Sequence, residues 1–355
     1  MKRREIDRRD FFKYAAAIGG GVLMGGGIPL PRMASAKPTF TLASTGASWG
    51  DGNRKVFVEK SGFQEKFDVN MVYHHAIDSV VVAQAVANKD NPIFDVHVAM
   101  LPNAVKLYAA GAAVEELDFN IVTNWPDIYP QAKFKNAVGG FCFVNLVLVY
   151  NTKHVKRPES FKDLWNPKYK GRVGIPQYGW CGNFFVHGIN KVFGGNEDNV
   201  MPGIEALADL MKKQKPIMVM NTDHAMKLFT SEELVLMAFW DGRTRMLQGR
   251  GVPVDFVWPK NFITFFNGMS VMKNSKVPKL CMEFVNTSLE PDQQVEFMKI
   301  FNYAPCNRKC KFPPEYEHVK VTEKELENSA VLDWIKVVNN MEKNMELWNK
   351  HVLGS

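Results

Sequence analysis

Phe40-Thr41-Leu42-Ala43, running through Ser44-Thr45-Gly46-Ala47-Ser48-Trp49-Gly50 into Arg54 to Lys66 and out along Val69 to Tyr73, is the stretch that decides the fold. Its first four residues read as a short strand, and Ser44 to Asn53 as a loop rich in glycine and serine. Val56, Phe57, Phe63 and Phe67 then supply the apolar positions of a helix over Arg54 to Lys66, and Val69 to Tyr73 returns to strand. The alternation continues with a helix over Ser79 to Asn88 and a strand at Phe94 to Ala99 that ends in a loop at Met100 to Asn103. Strands alternating with helices argue for an α/β fold, a parallel sheet with helices on its faces. Ligands of such folds bind beyond the carboxyl ends of the strands, here Ser44 to Asp51, His74 to Ser79 and Met100 to Asn103.

A second unit of the same kind opens on the long apolar strand Phe141 to Tyr150. Helices are expected at Phe184 to Phe193 and Met201 to Lys212, and a buried strand at Leu234 to Phe239 runs into Trp240-Asp241-Gly242-Arg243. Val254 to Pro259 reads as another strand, and Phe262 to Met272 is apolar enough to cross back to the first unit. These patterns predict two lobes with a cleft between them, lobe 1 at 38–141 plus 263–304 and lobe 2 at 142–262 plus 305–355. Thr322 and Glu325 form a capping-box pattern, predicting a C-terminal helix with Val331, Leu332, Ile335, Val338 and Met345 on one face.

The N-terminal segment sets the compartment. Arg8-Arg9-Asp10-Phe11-Phe12-Lys13 fits the twin-arginine export pattern, followed by the glycine-rich apolar run Ala15 to Leu30 and by Ala34-Ser35-Ala36 as a cleavage site. Residues 1–36 are therefore read as a twin-arginine signal peptide and the product as periplasmic. The chain of 355 residues carries a formal charge of +7, and seven basic against three acidic residues in the leader account for +4 of it, leaving +3 for the rest. That is too little for a nucleic-acid footprint, and no basic stripe interleaved with aromatics appears. Five cysteines are an odd number for an oxidising compartment. Cys306 and Cys310 are close enough for a small loop disulfide, whereas Cys142 and Cys281 lie in apolar runs; a zinc site lacks a second pair at ligand spacing.

Several segments in order resemble the periplasmic solute-binding proteins of polyamine-type (spermidine/putrescine-like) ABC importers, of the type II binding-protein fold. They are Gly46-Ala47-Ser48-Trp49, Ile93 to Val96, Gly111 to Asp118, Ser160 to Val173, Val257-Trp258-Pro259-Lys260 and Tyr303-Ala304-Pro305-Cys306-Asn307. The resemblance implies two α/β lobes closing on a small solute, a membrane permease as partner, a monomer, no cofactor and no catalysis.

Candidate ligand residues follow from the strand-end loops. Ser44, Thr45, Gly46, Ser48 and Trp49 offer donors, a close-approach glycine and a flat apolar wall at a helix start. His75 is the one of the adjacent pair His74-His75 assigned to the cleft, since neighbours on a strand point opposite ways. Tyr178, Trp180, Trp240 and Phe266 are expected to wall it. At Trp240-Asp241-Gly242-Arg243 the resembled family has a small residue where this chain has Arg243, and Thr264 to Met269 lacks the carboxylate a polyamine needs. Arg243 offers a planar fork to an anion and Asp241 a partner for an amine, so a carboxylate or amino acid is favoured over a polyamine; a surface pair of Asp241 with Arg243 is the alternative. Iron would need hard ligands that Tyr178-Gly179-Trp180 does not supply. The remaining classes, a ligand-sensing partner of a receptor and an exported enzyme, share the compartment. The chain has none of the nucleophile-elbow, metalloprotease or dinucleotide motifs expected of the enzyme.

Overall fold

The computed structural model describes residues 37–354. The twin-arginine pattern and the cleavage site lie outside the described residues. Among the described residues ten strands form the sheet: β1 Thr39–Ser44, β2 Asn70–His75, β3 Val96–Met100, β4 Lys133–Phe134, β5 Val138–Asn151, β6 Val173–Pro176, β7 Ile217–Val219, β8 Leu236–Trp240, β9 Val254–Val257 and β10 Ile263–Val271. Its order is β2-β1-β3-β10-β5-β8-β6-β7, with β4 and β9 also pairing to β5. The strands β1, β2 and β3 are mutually parallel, as are β6, β7 and β8. Between these two parallel sets run the antiparallel crossing strands. All 14 residues of β5 are buried; it pairs with β10 over Gly140 to Leu146 and with β8 over Leu146 to Tyr150, so one strand serves both halves of the two-lobed architecture. Strand β9, before β10 in the chain, takes the far end of β5.

The principal helices are α1 Ala47–Arg54, α2 Asp78–Ala87, α3 Leu101–Ala109, α4 Asn183–Val192, α5 Met201–Gln214, α6 Thr222–Thr230, α7 Asp241–Gly249, α8 Pro278–Leu289, α9 Pro291–Phe301, α10 Glu323–Glu327, α11 Trp334–Asn339 and α12 Met341–Trp348. Phe40, Phe57, Phe63, Phe141 and Phe284 fill the space under the first parallel set, and Phe161, Phe185, Phe229 and Phe239 that under the second, each at most 1% exposed.

Three expectations change. Helix begins at Ala47, not after Asn53, because the chain turns as soon as β1 ends and no residue of the Ala47 to Arg54 segment blocks the α conformation. The C-terminal capping box exists, with Thr322 Oγ1 accepting from the Glu325 N–H at 3.2 Å, but it starts only the short helix α10. Val331 is 88% exposed and, with Leu332, lies between α10 and α11, so the apolar positions read as one stripe are split between that connection, α11 and α12. Finally, Cys306 and Cys310 are free thiols. Cys306 is locked in the core by its N–H donating to Gln294 Oε1 at 2.8 Å, and the Cys310 thiol donates to the Pro291 carbonyl instead. Among the described residues no helix is long and apolar enough to cross a membrane.

Candidate functional site

Because the strands in each parallel set point the same way, their carboxyl ends gather at one edge, and both edges open onto one cleft of about 210 Å³. From the first set, β1 delivers Thr45 and Trp49, β2 delivers Asp78 and β3 delivers Met100. From the second, β6 leads to Trp180 and Phe184, β7 to Thr222, and β8 to Trp240 and Arg243. Val98, Val144, Asn267 and Tyr303 complete the lining from the strands and from the turn after α9. This is the strand-end placement expected of open α/β sheets. The cleft opens into a larger chamber of about 740 Å³ that shares Asp78, Met100, Trp180 and Phe184 and is bounded by Lys106 of α3 and by Met341 and Glu342 of α12.

Aromatic side chains fix its walls. Trp49 stands edge-on to Phe297 with ring centres 5.2 Å apart, and Trp180 and Trp240 meet at 88° and 6.1 Å. The Tyr303 ring rests on Gly242, where a Cβ would lie 2.7 Å from Cδ1, so only glycine lets the ring pack on the start of α7. Burial pushes the Tyr303 hydroxyl above its ordinary range, opposed by the neighbouring Arg243 guanidinium.

Two charged side chains line the inner cleft, one from each half. Asp78 is the first residue of α2; its Oδ2 accepts from Asn103 Nδ2 at 3.2 Å, and its Oδ1 lies 3.5 Å from His97 Nε2. Arg243 is half-buried, its Nη1 reaches Met246 Sδ at 3.3 Å, and none of the ion pairs among the described residues includes it. Its guanidinium, a fork of N–H donors, is in hydrogen-bond contact with Met246 and with the Tyr303 side chain.

Of the residues singled out in the sequence, Thr45, Trp49, Trp180, Trp240 and Arg243 come together in this cleft. Tyr178 lines the outer chamber, its hydroxyl donating to the Met341 carbonyl at 2.8 Å. Ser44, Gly46, Ser48 and His75 stand outside both linings, since the early start of α1 turns Ser48 to solvent and Ser44 is buried with its Oγ 3.4 Å from His75 Nδ1. Phe266 is wholly buried against Gly140, because alternation along β10 gives the cleft to its neighbour Asn267. Asp241, also wholly buried, binds Arg245 Nη1 at 2.8 Å and both the backbone N–H and Nδ2 of Asn145, so it offers nothing to a ligand. The pairing of Asp241 with Arg243 at the surface is replaced by this core pair.

Asp78, Asn267 and Tyr303 are not among the ligand candidates the sequence offers, although Tyr303 belongs to a segment that carries the family resemblance. Asp78 has a legible signal, a carboxylate in the His74 to Ser79 segment just past a strand end. Phe184 has none, and the motif at Tyr303 marks the family without pointing to the cleft, for their approach depends on how α4 and α9 pack. Among the described residues no cluster of three His, Cys, Asp or Glu side chains is placed to hold a metal.

A two-lobed α/β molecule with strand ends from both halves converging on one small polar and aromatic cleft is, by its architecture, a binding protein of the periplasmic type. The chain belongs to the family described as bacterial extracellular solute-binding protein, whose sequence profile matches residues 58–348. It is 26% identical over 155 residues to the spermidine/putrescine-binding periplasmic protein of Escherichia coli K12, a match covering 43% of this chain and 44% of that protein, less than half the length of either. Its fold is shared with an ABC transporter protein from Clostridium perfringens, at 21% identity and TM-score 0.78 over 88% of this chain and 99% of that one. The Atu4243-GABA receptor superposes with TM-score 0.74 at 19% identity, over 87% and 96% of the two chains.

Proposed function

We propose that this protein captures a small zwitterionic, amino-acid-like solute and hands it to an ABC transporter permease without turning it over. The observation that carries this reading is the charge pattern of the inner cleft, one carboxylate, Asp78, from the first half and one guanidinium, Arg243, from the second. A ligand ammonium pairs with Asp78, a ligand carboxylate takes the planar fork of Arg243, and a short aliphatic chain lies between Trp49, Trp180 and Trp240. A cleft of about 210 Å³ suits a solute of that size. A polyamine is the competing reading, favoured by the similarity to the E. coli protein. It would bring a second ammonium against Arg243, and like charges drawn out of water repel. The GABA-receptor fold neighbour is consistent with an ω-amino acid.

Calorimetry with 4-aminobutyrate, butyrate and putrescine tests the assignment. One-to-one binding of 4-aminobutyrate, tighter than that of butyrate and with no heat from putrescine, supports it. Tight putrescine binding overturns it.

In this reading lobe 1 spans 38–141 plus 263–304 and lobe 2 spans 142–262 plus 305–355, with bending near 141–144 and 261–264. The passage of β5 and β10 between the two parallel sets supports hinges there. Small-angle scattering should show a smaller radius on ligand addition and a monomer throughout. Export to the periplasm by the twin-arginine route rests on Arg8-Arg9-Asp10-Phe11-Phe12-Lys13. Replacing Arg8 and Arg9 with lysine should leave the protein in the cytoplasm.

A further inference from the structure

The geometry points to His97 as the positioning residue for the Asp78 carboxylate, the group that makes this cleft prefer an ammonium-bearing solute over the matching plain acid. The inference rests on the amino-acid reading above. His97 lies on β3, wholly buried, on the strand face opposite Val98 and Met100, beneath the first turn of α2. Its Nε2 is 3.5 Å from Asp78 Oδ1, just beyond a good hydrogen bond. Among the described residues neither ring nitrogen has a hydrogen-bond partner, Asp78 Oδ1 has none, and nor does the hydroxyl of Ser270, which pairs with His97 across β3 and β10. Buried polar atoms left unpaired are rare in native proteins, and four in one contiguous patch behind a ligand-facing carboxylate require an explanation. The carboxylate is anchored at Oδ2 by Asn103 at 3.2 Å, while its buried Oδ1 stops short of a hydrogen bond with His97.

An ammonium arriving from the cleft draws Asp78 into one orientation. In that orientation the His97 Nε2–H closes on Oδ1 while Oδ2 keeps Asn103 and faces the ligand. The histidine thereby converts a mobile charge into a directional acceptor. No proton changes hands, and His97 itself never touches the solute.

The test measures affinity for 4-aminobutyrate and for butyrate in the wild type and in Asp78→Asn, His97→Phe and His97→Gln. Asp78→Asn should abolish the preference for the amine. His97→Phe should shrink the preference on the order of tenfold, the worth of one charge-assisted hydrogen bond, with butyrate affinity unchanged. His97→Gln, which keeps a side-chain donor, should restore most of it. A wild type without preference for the amine overturns the amino-acid reading and this proposal with it. A preference abolished in Asp78→Asn but intact in His97→Phe overturns the role of His97 alone, as does an equal weakening for both solutes, which would mean a purely structural part. Nitrogen NMR of the wild-type imidazole removes dependence on the folding of any variant. The Nε2 resonance should move on titration with 4-aminobutyrate and not with butyrate, and a still resonance counts against the proposal.

Discussion

Asp241 and Arg245 form a buried ion pair one turn apart on α7, Oδ2 to Nη1 at 2.8 Å, with side chains 0% and 2% exposed. The carboxylate also takes two hydrogen bonds from Asn145 of β5, and the guanidinium reaches the carbonyls of Asn302 and His318. The pair thus ties the helix that carries Arg243 to the crossing strand and to the turn that carries Tyr303. By occupying Asp241 it leaves Arg243 outside any ion pair among the described residues, at the cleft.

Removing one member should leave the other charged and stranded. Arg245→Ala and Asp241→Asn are expected to destabilise the protein by about 3–5 kcal/mol, read from urea unfolding, because a buried pair broken on one side costs far more than the pair contributes. If either variant unfolds within about 1 kcal/mol of the wild type, the pair is not the tie described.

Arg243→Ala should behave in the opposite way. Half-buried and outside every ion pair among the described residues, it has little to do with folding, so the melting temperature should hold. Affinity for a carboxylate-bearing solute should fall about thirtyfold to several thousandfold, the cost of removing one side of a charge-assisted hydrogen bond in a desolvated site. Arg243→Lys should recover only part of it, since a point charge does not reproduce the planar fork.

Acid sensitivity should come in part from His187. Burial in α4 holds its imidazole down at about 4, against an ordinary 6.5. The folded protein keeps this group neutral while the unfolded chain protonates it, so stability is unaffected above about pH 6.5 and declines as pH falls toward 4. The loss amounts to about 3 kcal/mol at most. His187→Leu should flatten the stability profile between pH 6.5 and 4, and an unchanged slope would refute the assignment.

Thiol chemistry should be slow in the native state. Cys142, Cys181, Cys281 and Cys306 are buried, burial raises every one of them, and the partly exposed Cys310 is itself pushed up to about 12. Ellman's reagent should find at most one reactive thiol before denaturation and five after it. Fewer than five after denaturation without reductant would reveal a disulfide.

How far the sequence carried depended on the range of the interaction. Strands such as Leu236–Trp240 and Phe141 to Tyr150 were legible because a strand buried on both faces is written as a continuous apolar run. The strand-end rule then identified the loops around Thr45, Asp78 and Met100 before any side chain was placed. Boundaries were less legible: nothing local in Ala47 to Arg54 distinguishes a loop of glycine and serine from the first turns of a helix, and packing of Trp49 on Phe297 and Phe301 selects the helix.

The sequence by itself determined the class of fold, the family, and the presence of an unusual arginine at Arg243, since these rest on apolar periodicity and ordered motifs that are local in the chain. Only the tertiary structure decided which carboxylate lines the cleft. Asp241 and Arg243 share one short motif, yet helical geometry places Arg245, four residues on, over Asp241 and swings Arg243 toward the cleft. Asp78 lines the same cleft from a segment far earlier in the chain. Such a juxtaposition is set by how two parallel strand sets share β5, a relationship no window of sequence contains.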